Sequence, residues 1–291
     1  DLMQGETPDM LRDRLKKLGV QPKEEPLQLA FVLVEISNYP DFRSSFSERD
    51  QHTLKFALTN VLQELAQIDG LYGWAEWIAE DRLGMIVGVD PTHESAAQAI
   101  RGFADKGKAW VEQHLRFSLR FCAGHVEHEW QRIDRSYKAA LDVLQHKLSL
   151  GQEAIFLSED LPQAAERRWH QDVMMISELV RDFRHLDGEW RMRLDQWFER
   201  MASDCLKDED IRMLLQMLID MLGYELASLS EEIHNYFHGP AMKKLQHDVK
   251  KAGTLEQLKS LYSDYLTGLY RLYVAHSETK NHRAMVGELK T

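Results

Sequence analysis

The sequence predicts an α+β domain followed by an all-α domain. Two observations support this prediction. Segments with the pattern of β-strands occur in the first half of the chain, where they alternate with segments of helical periodicity. From Leu161 onward the strand patterns cease, and apolar residues recur at the 3.6-residue spacing of helices. We therefore expect a linker helix within residues 1–27, an α+β domain over 28–158 and a helical region over 159–291.

The first elements are predicted from apolar spacing. In the linker, a short helix is predicted by four apolar residues at helical spacing, Met10, Leu11, Leu15 and Leu18. The apolar run from Leu29 to Tyr39 predicts a buried strand. Between Ser47 and Ile68 the apolar residues follow the helical period, and Ser47 is placed to cap that helix.

A hairpin and a further strand complete the sheet. Residues 71–78 and 83–89 predict two strands that turn at Ala79 to Arg82, and a helix is expected from about His93 to His114. Over 115–125, Leu115, Phe117, Leu119 and Phe121 alternate with Arg116, Ser118, Arg120 and Cys122, as in a half-buried strand. This β-α-β-β-α-β order is that of ferredoxin-like domains, which predicts an antiparallel sheet with helices on one face. A helix at 133–147 and a short strand at 154–157 extend the domain.

The helical region divides at glycine and proline. We predict helices over 169–186, 189–206, 209–234, 237–251 and 254–280. The last helix has an apolar stripe formed by Leu258, Leu261, Tyr265, Leu269, Leu272 and Tyr273. Such a stripe is typical either of packing within one chain or of a dimer seam, and both alternatives remain open from the sequence.

Composition limits the classes of function. A formal net charge of -11 over 291 residues argues against a nucleic-acid-binding surface, because phosphate affinity depends on clustered Lys and Arg. Cys122 and Cys205 are far apart, which indicates a reducing compartment, and we expect a cytoplasmic protein. The sequence has no apolar run of roughly 20 residues, so we predict no membrane contact. A start at Asp1 and an end at Thr291 within a helical pattern lead us to expect a fragment of a longer protein.

No motif predicts catalysis. His125 and His128 lie beside Glu127 and Glu129, but structural zinc needs four organised ligands and catalytic zinc three. Acid clusters in turns and first helical turns, such as Asp208 to Asp210 and Glu231-Glu232, are typical of solvation and of helix-dipole stabilisation. Nucleophile and phosphate-loop motifs are missing from the sequence. We therefore predict a protein that is not an enzyme and has no catalytic, cofactor-binding or metal-binding residues.

Two stretches resemble a known family. Glu35-Ile36-Ser37-Asn38-Tyr39 and Ala79-Glu80-Asp81-Arg82-Leu83 resemble the strand-one segment and the hairpin of diguanylate cyclase (GGDEF) domains. The resemblance implies a nucleotidyl-cyclase-like fold with metal and nucleotide contacts at these two places. Ser37 and Arg82 stand where the family has acids, and both hairpin glycines are replaced. The domain is therefore expected to be a degenerate GGDEF domain without two-metal phosphoryl chemistry.

A narrower resemblance concerns regulators. Residues 48–64, the Asp81–Leu83 hairpin, residues 134–141 and residues 151–155 resemble the central region of AraC-type response regulators of the YesN kind. The resemblance implies a homodimer in a two-component system that couples receiver phosphorylation or ligand binding to DNA binding. It implies DNA contact only through a C-terminal helix-turn-helix domain outside this sequence. The alternative is a sensor that binds a small molecule, either a nucleotide or a carbohydrate.

Overall fold

The computed structural model describes residues 28–90, 93–151, 155–162 and 169–288, with side chains up to residue 280. The linker helix predicted within residues 1–27 lies outside these ranges. The described residues divide into two compact units. The first unit contains 28–90, 93–146 and 155–162, and the second contains 147–151 and 169–288.

The first unit is built on one five-stranded sheet. Its strands are β1 (Gln28–Ile36), β2 (Tyr72–Trp77), β3 (Arg82–Val89), β4 (Leu119–Ala123) and β5 (Ile155–Leu157), in the order β2-β3-β1-β4-β5. The first four strands pair antiparallel, whereas β5 pairs parallel with β4. The sheet is therefore mixed rather than wholly antiparallel, because a helical crossover returns the chain to β5 in the direction of β4.

Four helices accompany this sheet: α1 (Tyr39–Ser45), α2 (Glu48–Ile68), α3 (Ala96–His114) and α4 (Ile133–Leu144). The Ser47 hydroxyl accepts a hydrogen bond from the Asp50 N–H and so caps α2, as predicted. Helix α1 was not predicted. It starts after Asn38, whose left-handed backbone (φ 51°) turns the chain, and Pro40 occupies the first turn, where it needs no N–H partner.

Helices cover both faces of the sheet. Val32 and Val34 of β1 belong to a core that includes Leu58 of α2 and Phe103 of α3. Phe31 points to the opposite face, because successive strand residues alternate. There its ring meets that of Tyr137 in α4 edge-on, with centroids 4.8 Å apart. The expectation of helices on one face was wrong, because α4 packs against the second face of β1 and β4.

Helix α4 is locked to the sheet where β4 leaves β1. The Phe31 N–H donates to the hydroxyl of the fully buried Ser136, at 2.8 Å, instead of to a strand carbonyl. A Cβ on Gly124 would lie 1.7 Å from the Ser136 carbonyl oxygen, so only glycine permits this close approach. Where the β1–β4 ladder ends, the Phe31 N–H is thus paired with a side chain rather than left without a hydrogen bond.

Strand β4 is shorter than the alternation over 115–125 predicts. The left-handed backbone of Arg116 (φ 61°) interrupts that stretch before Leu119. The ring of Phe117 packs edge-on against Phe42 of α1, with centroids 5.0 Å apart. The start of the predicted strand therefore packs against a helix that the sequence did not predict.

The second unit is helical throughout its described residues. Its helices are α5 (Lys147–Leu150), α6 (Trp169–Arg184), α7 (Trp190–Ser203), α8 (Asp208–Leu226), α9 (Glu231–His238), α10 (Pro240–Lys251) and α11 (Leu255–Glu288). The prediction of one helix over 209–234 was wrong. Helix α8 ends at Leu226, and the Ser230 hydroxyl starts α9 by accepting from the Ile233 N–H.

The stripe of α11 packs inside its own unit. Leu258, Tyr265 and Leu269 are buried in a core with Trp190 and Trp197 of α7. The other members of the stripe, Leu261, Leu272 and Tyr273, pack against the same core. Packing within one chain, the first of the two alternatives, therefore accounts for this stripe.

None of the described helices is long and apolar enough to cross a membrane.

Candidate functional site

The two stretches that resemble the cyclase family meet in space. The hairpin turn is closed by the Ala79 N–H, which donates to the Arg82 carbonyl at 3.2 Å. The Ile36 N–H, at the end of β1, donates to the Asp81 carbonyl at 2.9 Å. The end of β1 and the hairpin tip therefore form one rim, which we treat as the candidate site.

Glu35 lies between two arginines in this rim. The strand register places it opposite Arg82 of β3 and Arg120 of β4. The Arg120 guanidinium (Nη1) is 3.7 Å from Glu35 Oε2, and the two residues are only 9% and 8% exposed. The one acid of strand one that the resemblance offered as a metal ligand thus faces an internal cation.

The hairpin acid has a cation beside it as well. Arg82 Nε is 3.2 Å from Asp81 Oδ1, and both side chains are about one third exposed. Hard cations such as Mg²⁺ are bound by carboxylates and other oxygen ligands. Because a guanidinium lies next to each of the two acids, the local charge is balanced without a metal ion. Among the described residues, no three or more His, Cys, Asp or Glu side chains are arranged to hold one.

The residues after Glu35 have structural partners. The Ser37 N–H donates to the Ser118 carbonyl at 2.9 Å, which continues the β1–β4 pairing past the strand end. The Asn38 side-chain amide donates to the Asp41 carboxylate in the first turn of α1. These contacts assign Ser37 and Asn38 to the turn between β1 and α1.

Sequence reasoning missed a cation between aromatic rings at the same rim. Lys55 Nζ of α2 lies 5.0 Å from the ring centroid of Trp77 and 5.4 Å from that of Tyr39. The Trp77 indole N–H donates to the Thr59 hydroxyl at 3.1 Å, which orients the ring. Spacing within α2 gives no signal for this contact, because Tyr39 and Trp77 come from two distant segments.

The other candidates from the sequence lie elsewhere. His125 and His128 are exposed and lie outside the rim, and His125 Nδ1 is 2.8 Å from the Ser158 hydroxyl. In the second unit, the Asp208 carboxylate accepts from the Leu148 N–H at 2.8 Å. Glu231 and Glu232 occupy the first turn of α9, where they complement the helix dipole. None of these residues belongs to the rim.

No protein-family model matches the chain, and no curated protein matches it either. The assignment of the chain to a family therefore remains a prediction, carried by the residues of β1, the hairpin and the helices that resemble that family. The contacts, burial and charges of the rim are the observations that bear on its function.

Proposed function

We propose that this chain is the non-catalytic central region of a cytoplasmic AraC-type regulator of a two-component system. In this proposal, the first unit is a degenerate GGDEF domain that has kept the scaffold of a nucleotidyl cyclase and lost its metal site. The region relays receiver phosphorylation or ligand occupancy to DNA-binding helices outside this chain. In this mechanism the dimer has two geometries. The signal shifts the equilibrium between them, and the DNA-binding helices bind DNA differently in each geometry.

The Glu35–Arg120 ion pair is the observation that carries the proposal. Two-metal phosphoryl transfer needs carboxylates that are free to coordinate both ions. Here the carboxylate of Glu35 is buried beside Arg120 at 3.7 Å, and Arg82 adds a second cation at the rim. Binding Mg²⁺ at this place would bring the ion close to two guanidinium groups, which repel it.

The strand order of the sheet supports the proposal that the first unit is a degenerate GGDEF domain. In chain order the first unit gives β-α-β-β-α-β once α1 is set aside as an addition after β1. The four antiparallel strands lie in the order β2-β3-β1-β4, as expected for a ferredoxin-like sheet. The hairpin of β2 and β3 forms one edge of this sheet. Its tip, Ala79 to Arg82, is then a contact surface for another domain rather than a nucleotide clamp.

The catalytic part of the proposal is tested by incubating the chain with GTP or ATP and Mg²⁺ or Mn²⁺. We expect no cyclic product from the natural sequence. The matched variant Ser37→Asp with Arg82→Glu places acids at the family positions, but we expect it to stay inactive because Arg120 still faces Glu35. Any product from the natural sequence would overturn the non-catalytic assignment.

The regulatory part needs the intact regulator. DNA affinity and dimerisation are measured with and without phosphorylation of the receiver. We expect both to differ between the two states. Identical values would overturn the relay proposal.

A small-molecule sensor is the second candidate, and one cavity favours it. In the second unit, a half-open cavity of about 260 Å³ is lined by apolar residues such as Leu148 and Phe198 and by the charged residues Glu199, Glu256 and Lys259. The Lys259 ammonium also lies 2.9 Å from the Asp195 carboxylate. The two carboxylates and the ammonium group offer hydrogen bonds to a small polar ligand. A thermal-shift screen with nucleotides and sugars tests this candidate, and a panel that leaves the melting temperature unchanged contradicts it.

A further inference from the structure

Helix α10 of the second unit carries basic side chains along its outer side. Its inner side packs into the core of the unit through Leu245, with Met242 and Val249 against the same core. The opposite side of the helix is exposed and polar. We call this surface the lysine stripe and define it by Lys243, Lys244, His247, Lys250 and Lys251.

His247 lies at the centre of the lysine stripe. Lys243 and Lys244 precede it by four and three residues, and Lys250 and Lys251 follow it by three and four. Residues at these spacings are neighbours on the surface of a helix. Residues seven positions apart are separated by about 10.5 Å along the helix axis. The stripe therefore consists of two pairs of lysines, one at each end of α10, separated by about 10.5 Å.

The four lysines form no ion pair with any residue that the structure describes. Asp248 is the one acid in the sequence of α10, and it lies at the edge of the stripe without closing a salt bridge to Lys244 or Lys251. Elsewhere in the described ranges, Lys280 is the one other lysine without a partner. The lysines that have partners are Lys55, Lys106, Lys108, Lys138, Lys147, Lys207 and Lys259. Unpaired lysine charge is thus concentrated on α10.

The stability and the solubility of the chain do not account for this concentration. Lys250 and Lys251 lie in the last turn of α10, where cations complement the helix dipole. Lys243 and Lys244 lie near the positive end, and the first turn contains no acid to offset them. A chain with a net charge of -11 needs no added cations to stay in solution. An anion that binds along the stripe would be attracted by both lysine pairs.

The composition of the stripe distinguishes between classes of anionic partner. Among the described residues, none of the exposed large apolar side chains lies on α10. Protein interfaces are built around apolar and aromatic anchors and are depleted of lysine. Helices that lie on membranes bury an apolar side in the lipid, whereas the apolar side of α10 faces its own core. The phosphate backbone of a nucleic acid is bound by cations alone, so the stripe fits this class best.

We propose that the lysine stripe binds the phosphate backbone of double-stranded DNA without reading its sequence. Each strand of DNA carries one phosphate per about 3.4 Å of helix axis, so lysine pairs about 10.5 Å apart match phosphates about three positions apart. The net charge of -11 describes the whole chain, whereas DNA meets only the local surface. The choice of DNA rests on the proposed function, which brings the chain to DNA through helices outside it. The stripe adds a second contact within the chain.

The salt dependence of DNA binding by this chain tests the contact. It is measured by the fluorescence anisotropy of a labelled duplex of unrelated sequence. Four phosphate contacts predict that the affinity falls about a hundredfold when the salt concentration rises from about 50 to about 200 mM. Lys243→Gln with Lys250→Gln leaves two of the four lysines, and the fall should shrink to about tenfold.

Two matched variants control for net charge and for folding. Lys138→Gln with Lys280→Gln removes the same charge from two exposed lysines outside the stripe, and it should leave the salt dependence as in the natural sequence. Lys243→Arg with Lys250→Arg keeps the charge of the stripe and should bind DNA as the natural sequence does. Circular dichroism of each variant should show the helical content of the natural sequence.

Several outcomes would overturn the DNA contact. One is a duplex whose anisotropy the chain does not change at the lower salt concentration. Another is an equal salt dependence in the Lys243→Gln, Lys250→Gln variant and its Lys138→Gln, Lys280→Gln control. Tighter binding of an RNA duplex, or of vesicles of phosphatidylcholine and phosphatidylserine, would assign the stripe to that ligand instead.

The proposed function is decided by a separate measurement. Each of these outcomes leaves the relay proposal standing, because the effect of receiver phosphorylation on the intact regulator does not depend on the lysine stripe. Conversely, a regulator that ignores phosphorylation overturns the relay. The DNA contact would still be supported if the lysine variants alter the salt dependence as expected.

Discussion

Replacing Arg120 by methionine should destabilise the first unit more than any other single change at the rim. The side chains of Arg120 and Glu35 are about one tenth exposed, and their charged atoms are 3.7 Å apart. At an effective dielectric constant of about 20, two unit charges at this separation attract each other by about 4 kcal/mol. Arg120→Met leaves a buried carboxylate without this guanidinium, a change that typically costs about 3 to 5 kcal/mol.

The measurement must report on the sheet alone, because the chain has two units. Hydrogen exchange followed by mass spectrometry, at increasing urea concentration, gives the free energy of opening for peptides from β1 and β4. We expect that free energy to fall by about 3 to 5 kcal/mol in Arg120→Met. Peptides from the second unit should exchange as in the natural sequence.

Two variants complete the experiment. Arg82→Met removes the partly exposed cation beside Asp81 and should cost less than about 1 kcal/mol. In the double variant Glu35→Leu with Arg120→Met, apolar groups replace both charges, and most of the lost stability should return. Arg120→Met could instead lower the free energy of opening by no more than Arg82→Met does. Arg120 would then not be the counter-charge of Glu35, and the proposal that Arg120 stands in for a metal ion at the rim would be contradicted.

The packing leads to three further predictions. Ser136→Ala leaves the buried Phe31 N–H without its acceptor and should cost about 1 to 3 kcal/mol, measured by the same exchange experiment. Gly124→Ala forces a Cβ against the Ser136 carbonyl and should cost more than Ser136→Ala, with the fastest exchange in α4. Burial raises the pKa of Tyr262 from 10 to about 12. Above pH 10 the unfolded chain loses the phenol proton more readily than the folded protein does. The free energy of unfolding should therefore be highest below pH 10 and fall by about 3 kcal/mol as pH rises toward 12. Urea denaturation followed by circular dichroism should show this loss, and Tyr262→Phe should reduce it.

Local patterns predicted most elements of the first unit. The apolar run at Leu29 and the alternation around Leu119 predicted strands because side chains on a strand alternate between its faces. The Ser47 cap and the turn at Ala79 to Arg82 were predicted because their hydrogen bonds join residues only three positions apart in the chain. Helix α1 was missed, since its start depends on a left-handed Asn38 and its packing on Phe117, far along the chain.

The candidate site was predicted only in part. The sequence identified Glu35, Ser37 and Arg82 as the positions where a cyclase-like rim departs from its family. It did not identify Arg120 as the partner of Glu35, although the alternation over 115–125 had placed Arg120 on a face with Cys122. Cross-strand register decides which side chains face one another, and a shift by one residue would turn Arg120 to the other side of the sheet.

The kind and order of most elements can be read from the chain alone, because periodicity, caps and turns depend on residues a few positions apart. Which surfaces these elements cover is a property of the folded protein. The stripe of α11, a candidate dimer seam from its spacing, packs in the core of its own unit, whereas Met213 of α8 is 45% exposed. An apolar row looks the same in the sequence in both cases. Whether it is covered depends on packing between segments that are distant in the chain, and periodicity does not encode that packing.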